Sequence, residues 1–402
     1  MEAQAAAVLE EAIAFLRAII AIPSPSGGEE AVARRVAAQM ERLGFDDVRT
    51  DSFGSVIGRV GGGPRRILYD AHLDTVGVGD PGAWPHDPYI GKREDGWIWG
   101  RGASDNKGGL VSILYGAALA KSDLPADFSL LVVGSAMEED CDGIAFQTLI
   151  GEDGLRPEVV LLSECSGLRV YRGQRGRMEI RVSTRGVSCH ASAPERGENA
   201  ITKMAALVRE IDALNSRLGD DAFLGKGTVA VTRIGSESPS LNAVPDRCEI
   251  ILDRRLSAGE TRESALREIQ EAAKEAGVQA QAEVLVHEAQ GWTGKAVRME
   301  KYFPTWTLPA DHPAVKAGVA AAREAIGREP ELGCWTFSTN GVYTAGLEGI
   351  PTLGFGPAEE SYTHSIQDRV SEEDLLKAIL FYARYPVQYA AALPGPPAGP
   401  SR

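Results

Sequence analysis

Seven acidic and imidazole side chains in this chain are of the types that bind divalent metal ions. Most of them directly follow a predicted strand or a turn; they are His72, Asp74, Asp105, Glu138, Glu139, Glu164 and His364. Neutral imidazole nitrogen and carboxylate oxygen are the ligands that zinc and its neighbours accept. A pair of ions needs a bridging carboxylate and further terminal ligands on each ion. The seven residues therefore predict a site for two divalent metal ions.

A particular division of ligands satisfies this count. Asp105 is the predicted bridge between the ions. His72 and Glu164 would hold one ion, and Glu139 and His364 would hold the other. Zinc is the favoured metal, and cobalt or manganese also suits mixed nitrogen and oxygen ligands.

Two carboxylates remain for other tasks. Asp74 stands two residues after His72 and would orient that imidazole by accepting its second N–H. Glu138 would take a proton from a water between the metals and deliver it to the leaving amine. Taken singly, each of these motifs is more often an ordinary turn or a helix cap than a metal site. Their common position after buried strands favours the metal site, because independent caps have no reason to collect there.

The elements that must position these residues have an α/β pattern. Apolar strands are predicted at 66–70, 128–133 and 159–162, and a helix at 110–121. Polar residues follow each strand at once. Strands that alternate with helices form a sheet whose ligands lie beyond the carboxyl ends of the strands.

The pattern changes near residue 177. Strands at 178–184, 227–234 and 246–256 and helices at 199–217 and 258–276 give a β-α-β-β-α-β-like order, typical of a two-layer, ferredoxin-like domain. The predicted fold is therefore an α/β catalytic domain with a mixed sheet flanked by helices, interrupted by a smaller lid and dimerisation domain. The predicted bounds are 1–177 and 299–390 for the catalytic domain, 178–298 for the insertion, and 391–402 for a mobile tail.

The composition of the chain restricts the kinds of partner that the protein is expected to bind. The formal charge of -14 and the pI near 5.1 disfavour binding to nucleic acid or anionic membranes. The arginines of 169–185 are interpreted as a solvated strand pair. Five scattered cysteines without a CxxC motif favour a reducing cytoplasm over a disulfide framework. The expected partner is a small-molecule substrate, and no apolar run is long enough to span a bilayer.

Three motifs carry a resemblance to a known family. They are YDAHLDTV at 69–76, GRGASDNKGG at 100–109 and MEE at 137–139. With them the chain resembles the dinuclear zinc metallopeptidases that include aminoacylase, acetylornithine deacetylase, succinyl-diaminopimelate desuccinylase and glutamate carboxypeptidase. The resemblance implies the metal roles above, Glu138 as general base, Asp74 as its support and a cis peptide after Asp105. Asn106 departs from the Asp-Asp that the family often has there.

The resemblance also assigns residues in the inserted domain. GVSCHAS at 186–192 resembles the family's lid motif, whose histidine stabilises the oxyanion in the active site of a partner subunit. His190 would act in this way in a homodimer, the alternative being a surface-loop histidine. Asn242 and Arg255 match positions that grip a substrate carboxylate. For Arg255 the alternative is a strand arginine paired with Asp253.

A last segment bears on specificity. STNG at 338–341 stands where relatives carry a Thr-Ser-Asp type segment that lines the substrate pocket, and Thr339 is the predicted substrate-binding residue there. Together with WTF at 335–337 and GFGP at 354–357, the chain resembles a branch of hydrolases linked to selenium metabolism.

The function that these features predict is metal-dependent hydrolysis of the amide bond of an N-acyl amino acid or a similar small carboxylate. A dipeptidase, aminopeptidase or carboxypeptidase of the same family is the alternative within enzymes. An inactive, dimeric binding or scaffold protein is the alternative of a different class, but the convergence of so many carboxylates disfavours it.

Overall fold

The computed structural model describes residues 1–393, so most of the predicted mobile tail lies outside the described residues. Within this range the strands are β1 (Asp47–Thr50), β2 (Val56–Val60), β3 (Arg65–His72), β4 (Lys92–Glu94), β5 (Trp97–Trp99), β6 (Phe128–Ser135), β7 (Val159–Leu162), β8 (Val170–Gln174), β9 (Gly176–Arg185), β10 (Asp220–Asp221), β11 (Gly225–Lys226), β12 (Thr228–Glu237), β13 (Arg247–Leu256), β14 (Ala280–Val284), β15 (Val286–Gln290), β16 (Ala296–Glu300), β17 (Tyr302–Phe303), β18 (Trp306–Thr307), β19 (Leu332–Trp335), β20 (Thr352–Gly354) and β21 (Arg369–Ser371). The helices are α1 (Glu2–Ile20), α2 (Glu30–Arg42), α3 (Gly108–Ala120), α4 (Ile144–Phe146), α5 (Ala200–Leu214), α6 (Arg262–Glu275), α7 (Pro313–Ile326) and α8 (Glu372–Ala392). None of these helices is both long and apolar enough to cross a membrane.

The larger sheet of the described chain is mixed. Its strands run in the order β1-β2-β6-β3-β7-β20-β8-β18, and β19 also pairs with β8. The neighbours β6, β3 and β7 are parallel. Their residues are almost all buried, as the continuous apolar runs predicted. Because these strands are parallel, their carboxyl ends meet at one edge of the sheet.

Apolar residues cover both faces of this sheet. On one face α1, α2, α3, α7 and α8 enclose a core that includes Leu16, Tyr69, Leu114 and Tyr382. On the other face a second core, with Phe146 and Trp335, lies under α4 and the segments around β17 to β19. The sheet is therefore a fixed platform for the residues at its carboxyl edge.

The inserted region is a second, smaller sheet with two helices. Its strands have the order β12-β13-β9-β14, with β17 added beside β9. Burial alternates strictly along β9 and β13, and the buried face packs on α5 and α6. The predicted fold class, a mixed-sheet α/β domain interrupted by a small two-layer domain, is confirmed.

A hairpin that was not predicted, β15 with β16, reaches from the inserted region to the catalytic region. At its tip Trp292 Nε1 donates to the carbonyl oxygen of Gly54 over 3.1 Å. A Cβ on Gly54 would lie 2.2 Å from that indole nitrogen, and Gly54 has a φ of +120°. Glycine is therefore required where the hairpin tip docks.

The chain leaves and re-enters the catalytic region along adjacent strands. Phe303 in β17 pairs with Arg177 in β9, and Trp306 in β18 pairs with Gln174 in β8. The outgoing and returning segments thus run side by side.

Candidate metal centre and active site

Three parallel strands deliver most of the predicted ligands to one edge of the sheet. His72 is the last residue of β3, Glu138 and Glu139 follow β6, and Glu164 follows β7. Asp105 lies in the turn Ala103–Lys107 that leads into α3. The predicted cis peptide between Asp105 and Asn106 is confirmed.

Asp105 stands between the two histidines. Its Oδ1 lies 2.9 Å from His72 Nε2, and its Oδ2 lies 3.2 Å from His364 Nε2. His72 Nε2 is also 3.6 Å from Glu164 Oε1, and His364 Nε2 is 2.9 Å from Glu139 Oε2. The structure thus brings the five predicted ligands together, with one carboxylate oxygen of Asp105 facing each imidazole.

The carboxylates of this cluster are largely buried, as is His72, whereas His364 is exposed. Burial, with nearby carboxylates adding to it, raises the pKa of Glu164 to about 8, although His72 opposes the shift. Hydrogen bonds to Asp105 and Glu139 raise the pKa of His364 to about 10. So many acids in one buried pocket need compensating positive charge. Two imidazoles and three carboxylates are a donor set that fits divalent metal ions.

Asp74 holds the segment that carries the two glutamates. Its Oδ1 accepts from the backbone N–H of Glu138 and its Oδ2 from that of Glu139, both over 3.0 Å. The Ser26 hydroxyl donates to the same carboxylate over 2.7 Å. The Nδ1 of His72 lies nearer to the backbone carbonyl oxygen of Asp74, at 2.9 Å, than to its carboxylate, at 3.4 Å. Asp74 therefore contacts His72 mainly through its main chain, whereas the prediction assigned this contact to its carboxylate.

Glu29 supports the same segment, and no sequence pattern beyond the turn that precedes it indicated this role. It is fully buried, and its Oε1 accepts from the backbone N–H groups of Gly27 and Met137 over 3.0 Å each. Met137 has a φ of +61°. Three successive backbone donors, those of Met137, Glu138 and Glu139, are thus taken by two buried carboxylates, which fixes the turn before Glu138.

Asp368 links the segments of Asp105 and His364. Its buried carboxylate accepts from Arg101 over 2.9 Å, from the N–H of Gly102 over 2.7 Å, and from both the N–H and the hydroxyl of Ser104 over 2.8 and 2.6 Å. Asp368 lies four residues after His364, so this one side chain ties the His364 loop to the Asp105 turn.

The three predicted residues of the inserted region lie outside the lining of the cavity at the cluster. His190 is exposed, and its Nδ1 accepts from Ser192. Asn242 is exposed on the neighbouring loop, where its backbone carbonyl oxygen accepts from the N–H of Ala191. Arg255 makes a two-pronged ion pair with Asp253 at 2.8 and 3.1 Å, the pairing that was its alternative interpretation.

The cavity is lined on one side by the segment after β19. Phe337 and Ser338 line it. Thr339, the predicted substrate-binding residue, is fully buried, and its hydroxyl donates to Gln174 over 2.6 Å. Ser338 rather than Thr339 therefore presents its side chain to the cavity.

Arg177 is a lining residue that the sequence interpretation missed. It was assigned to a solvated strand pair, yet it borders the cavity together with Glu138 and Glu164. Its Nη2 donates to Asp142 over 3.0 Å. Its position at the start of β9, beside the returning strand, brings it to the cavity, and only the three-dimensional pairing reveals this.

Known proteins resemble this chain along most of its length. Residues 172–281 match the family model described as a peptidase dimerisation domain. The uncharacterised protein YgeY of Escherichia coli (strain K12) is 46% identical over 94% of both chains. Succinyl-diaminopimelate desuccinylase of Paracoccus denitrificans (strain Pd 1222) is 26% identical over 87% of this chain and 90% of its own. The crystal structure of YXEP from Bacillus subtilis, described as a dinuclear metal-binding peptidase of the M20 family, has a TM-score of 0.67 at 16% identity and covers 95% of this chain and 98% of its own.

The fold, the cluster and these relatives define a metal-dependent hydrolase of amide or peptide bonds. The chain belongs to the M20 family of metallohydrolases, which confirms the family that the motifs predicted. The link to selenium metabolism remains a prediction.

Proposed function

We propose that this protein uses two divalent metal ions to cleave the amide bond of an N-acyl amino acid or a similar small carboxylate. The observation that carries the proposal is the position of Asp105, with one oxygen toward His72 and the other toward His364. A carboxylate in this position is suited to bridge two ions.

The proposed ligands follow from these contacts. His72 and Glu164 would hold one ion, Glu139 and His364 the other, and Asp105 both. When bound, the ions would polarise the substrate carbonyl and lower the pKa of water. Zinc suits this ligand set, as do cobalt and manganese.

Glu138 is the proposed general base. Burial, with Asp142 adding to it, raises the pKa of Glu138 well above its usual value. A carboxylate with high proton affinity can remove a proton from the attacking water and return it to the leaving nitrogen. Asp74 fixes the main chain of Glu138 for this transfer, as its hydrogen bonds indicate.

We also propose that the protein is a homodimer whose lid and dimerisation domain is 178–298, with 1–177 and 299–390 as the catalytic domain. The match to a peptidase dimerisation domain supports this. His190 and Asn242 are exposed and lie outside the cavity of their own chain, as expected for residues that act in the cavity of a second copy. There His190 would stabilise the oxyanion, and Asn242 with Arg255 would hold the substrate carboxylate.

A substrate panel tests the proposed reaction. Metal-loaded protein should hydrolyse N-acyl amino acids faster than unblocked dipeptides. The reverse preference would favour the dipeptidase alternative.

The Glu138→Ala variant tests the mechanism. It should lose about 10²- to 10⁴-fold in kcat while its metal content, measured by elemental analysis, stays near that of the wild type, because Glu138 is not among the proposed ligands. The exposed Glu348→Ala serves as a control that should leave kcat unchanged. Unchanged turnover in Glu138→Ala would overturn the role of Glu138.

A further inference from the structure

Besides the proposed metal ligands, the lining of the cavity contains a charged cluster that the proposed chemistry does not use. Arg177 Nη2 donates to Asp142 Oδ2 over 3.0 Å, and the Ser338 hydroxyl donates to the same oxygen over 2.9 Å. Three separate segments, β9, the loop after β6 and the loop after β19, thus meet in one group. We call Arg177, Asp142 and Ser338 the Arg177 subsite.

The guanidinium of Arg177 is held in place, but not all of its N–H donors have an acceptor. Its ring-face contact with Phe303, at 4.7 Å from the ring centre, and its ion pair with Asp142 hold it in place. Glu179 lies 3.8 Å away and also pairs with Lys301 at 3.3 Å. Guanidinium carries five N–H donors, four of them on its two terminal nitrogens. The hydrogen bond to Asp142 engages Nη2, and the buried Nε does not face the cavity. Donors on the terminal nitrogens therefore remain for another group.

Charge makes this position unusual in the cavity. Six carboxylates line the cavity: Asp105, Glu138, Glu139, Asp142, Glu164 and Glu360. Among the described lining residues Arg177 is the one guanidinium, and none is a lysine. This lining would repel a negatively charged part of a substrate, except where the proposed metal ions or Arg177 supply positive charge.

We propose that the Arg177 subsite binds a second carboxylate of the substrate, so that the preferred substrates are N-acyl amino acids with a carboxylate on the acyl chain or side chain beyond the one assigned to Asn242 and Arg255. This inference rests on the proposed function, since it names the substrate class of that site. Asp142 would orient the guanidinium, and the Ser338 hydroxyl, which donates to Asp142, would hold that carboxylate in place. A fork of two N–H donors matches a carboxylate in geometry as well as charge.

The test compares acids with their amides. The substrate pairs are N-succinyl-alanine with N-succinamoyl-alanine and N-acetylglutamate with N-acetylglutamine. In at least one pair the wild type should prefer the acid by about tenfold or more in kcat/KM. Arg177→Gln should remove that preference, so that acid and amide are hydrolysed with kcat/KM values within about threefold of each other.

Two further variants control for effects other than the loss of the Arg177 subsite. Arg181→Gln removes another arginine from the same strand, one that is paired with Glu283 at 3.1 Å, and should keep the preference. Arg177→Gln combined with Asp142→Asn avoids leaving Asp142 unpaired if the single variant folds poorly, and it should also lose the preference. Equal rates for acid and amide in both wild-type pairs, or a preference that survives Arg177→Gln in a folded variant, would overturn the subsite.

A binding measurement separates this inference from the proposed reaction. Glutarate and its monoamide are titrated into metal-loaded protein by calorimetry. Glutarate should bind about tenfold more tightly to the wild type, and Arg177→Gln should equalise the two. If no panel substrate is hydrolysed but this difference is found, the proposed reaction fails and the subsite stands; equal binding to the wild type contradicts the subsite.

Discussion

At the scale of single residues, the site depends on side chains that hold the main chain as well as on those that face the cavity. Glu29 is the clearest case. Its carboxylate accepts from Met137, and Asp74 accepts from Glu138 and Glu139. Neither carboxylate lines the cavity. The position of the proposed general base therefore depends on buried carboxylates that bind its main chain and do not face the cavity.

The buried Glu29 predicts a measurable pH dependence of stability. Burial, with Asp74 adding to it, raises the pKa of Glu29 to about 7. Between about pH 4.3, the value for an unfolded glutamate, and pH 7 the folded chain keeps a proton that the unfolded chain has lost. The free energy of unfolding therefore falls as the pH rises, by at most about 4 kcal/mol. Glu29→Gln should lack this loss.

Urea unfolding in the presence of a chelator measures the effect. The free energy of unfolding of Glu29→Gln, relative to the wild type, should increase between pH 5 and pH 8 by about 1 to 3 kcal/mol. Glu30→Gln is the matched control, because Glu30 is exposed beside Arg34 and should change this difference by less than about 0.5 kcal/mol. A relative stability that is constant with pH would contradict a raised pKa at Glu29.

The residues that sequence could predict are those that follow a recognisable strand. His72, Glu138 and Glu164 come directly after apolar runs that proved to be β3, β6 and β7. Arg177 could not be predicted, since its pairing with Phe303 joins residues 126 positions apart. Thr339 and Ser338 could not be told apart either, because the direction of each side chain in an irregular segment depends on its partners, Gln174 and Asp142.

At the scale of elements, the His364 loop is positioned by its connection to the Asp105 turn. Asp368 receives four hydrogen bonds from Arg101, Gly102 and Ser104. An aspartate accepts at both oxygens, whereas an asparagine amide would place N–H groups against these donors. The charge of Asp368 is thus needed to keep the two ligand segments in register.

Asp368→Asn should accordingly lower metal affinity, by about 10- to 100-fold. Competition with a metal chelator would measure the loss. Gln367→Ala, an exposed neighbour in the same loop, should retain the affinity of the wild type. Wild-type affinity in a folded Asp368→Asn protein would show that the loop is held in another way.

Element prediction succeeded where periodicity was clean and failed elsewhere. The alternating β9 and β13 and the apolar β6 and β7 were expected. The 21-residue α8 was not predicted, because it contains Pro386 and buries residues on most of its circumference, which obscures a 3.6-residue period. The hairpin of β15 and β16 was also missed, since its tip is stabilised by contacts with Gly54 and Ser52 far away in sequence.

At the scale of the whole molecule, the proposed dimer makes each cavity depend on two chains. Mixing Glu138→Ala and His190→Ala proteins, each inactive alone, should restore activity, because a hybrid dimer has one cavity with both Glu138 and a His190 from the other chain. Random exchange would give about one quarter of wild-type activity, as half of the dimers are hybrids with one complete cavity each.

Subunit exchange must be verified with differently tagged chains, and Glu138→Ala mixed with a Glu138→Ala, His190→Ala double variant provides the inactive control. Hybrids that form without regaining activity would show that His190 does not act across the dimer.

The side-by-side course of the outgoing and returning segments has a consequence for how such a molecule can be rearranged. Neighbouring strands lie about 4.8 Å apart, so the ends of the excursion at Arg177 and Phe303 are separated by one strand spacing. Another domain with closely spaced termini could therefore be inserted at this point without breaking the strand pairing of the nine-stranded sheet. Gene recombination at these two positions could therefore exchange one inserted lid domain for another.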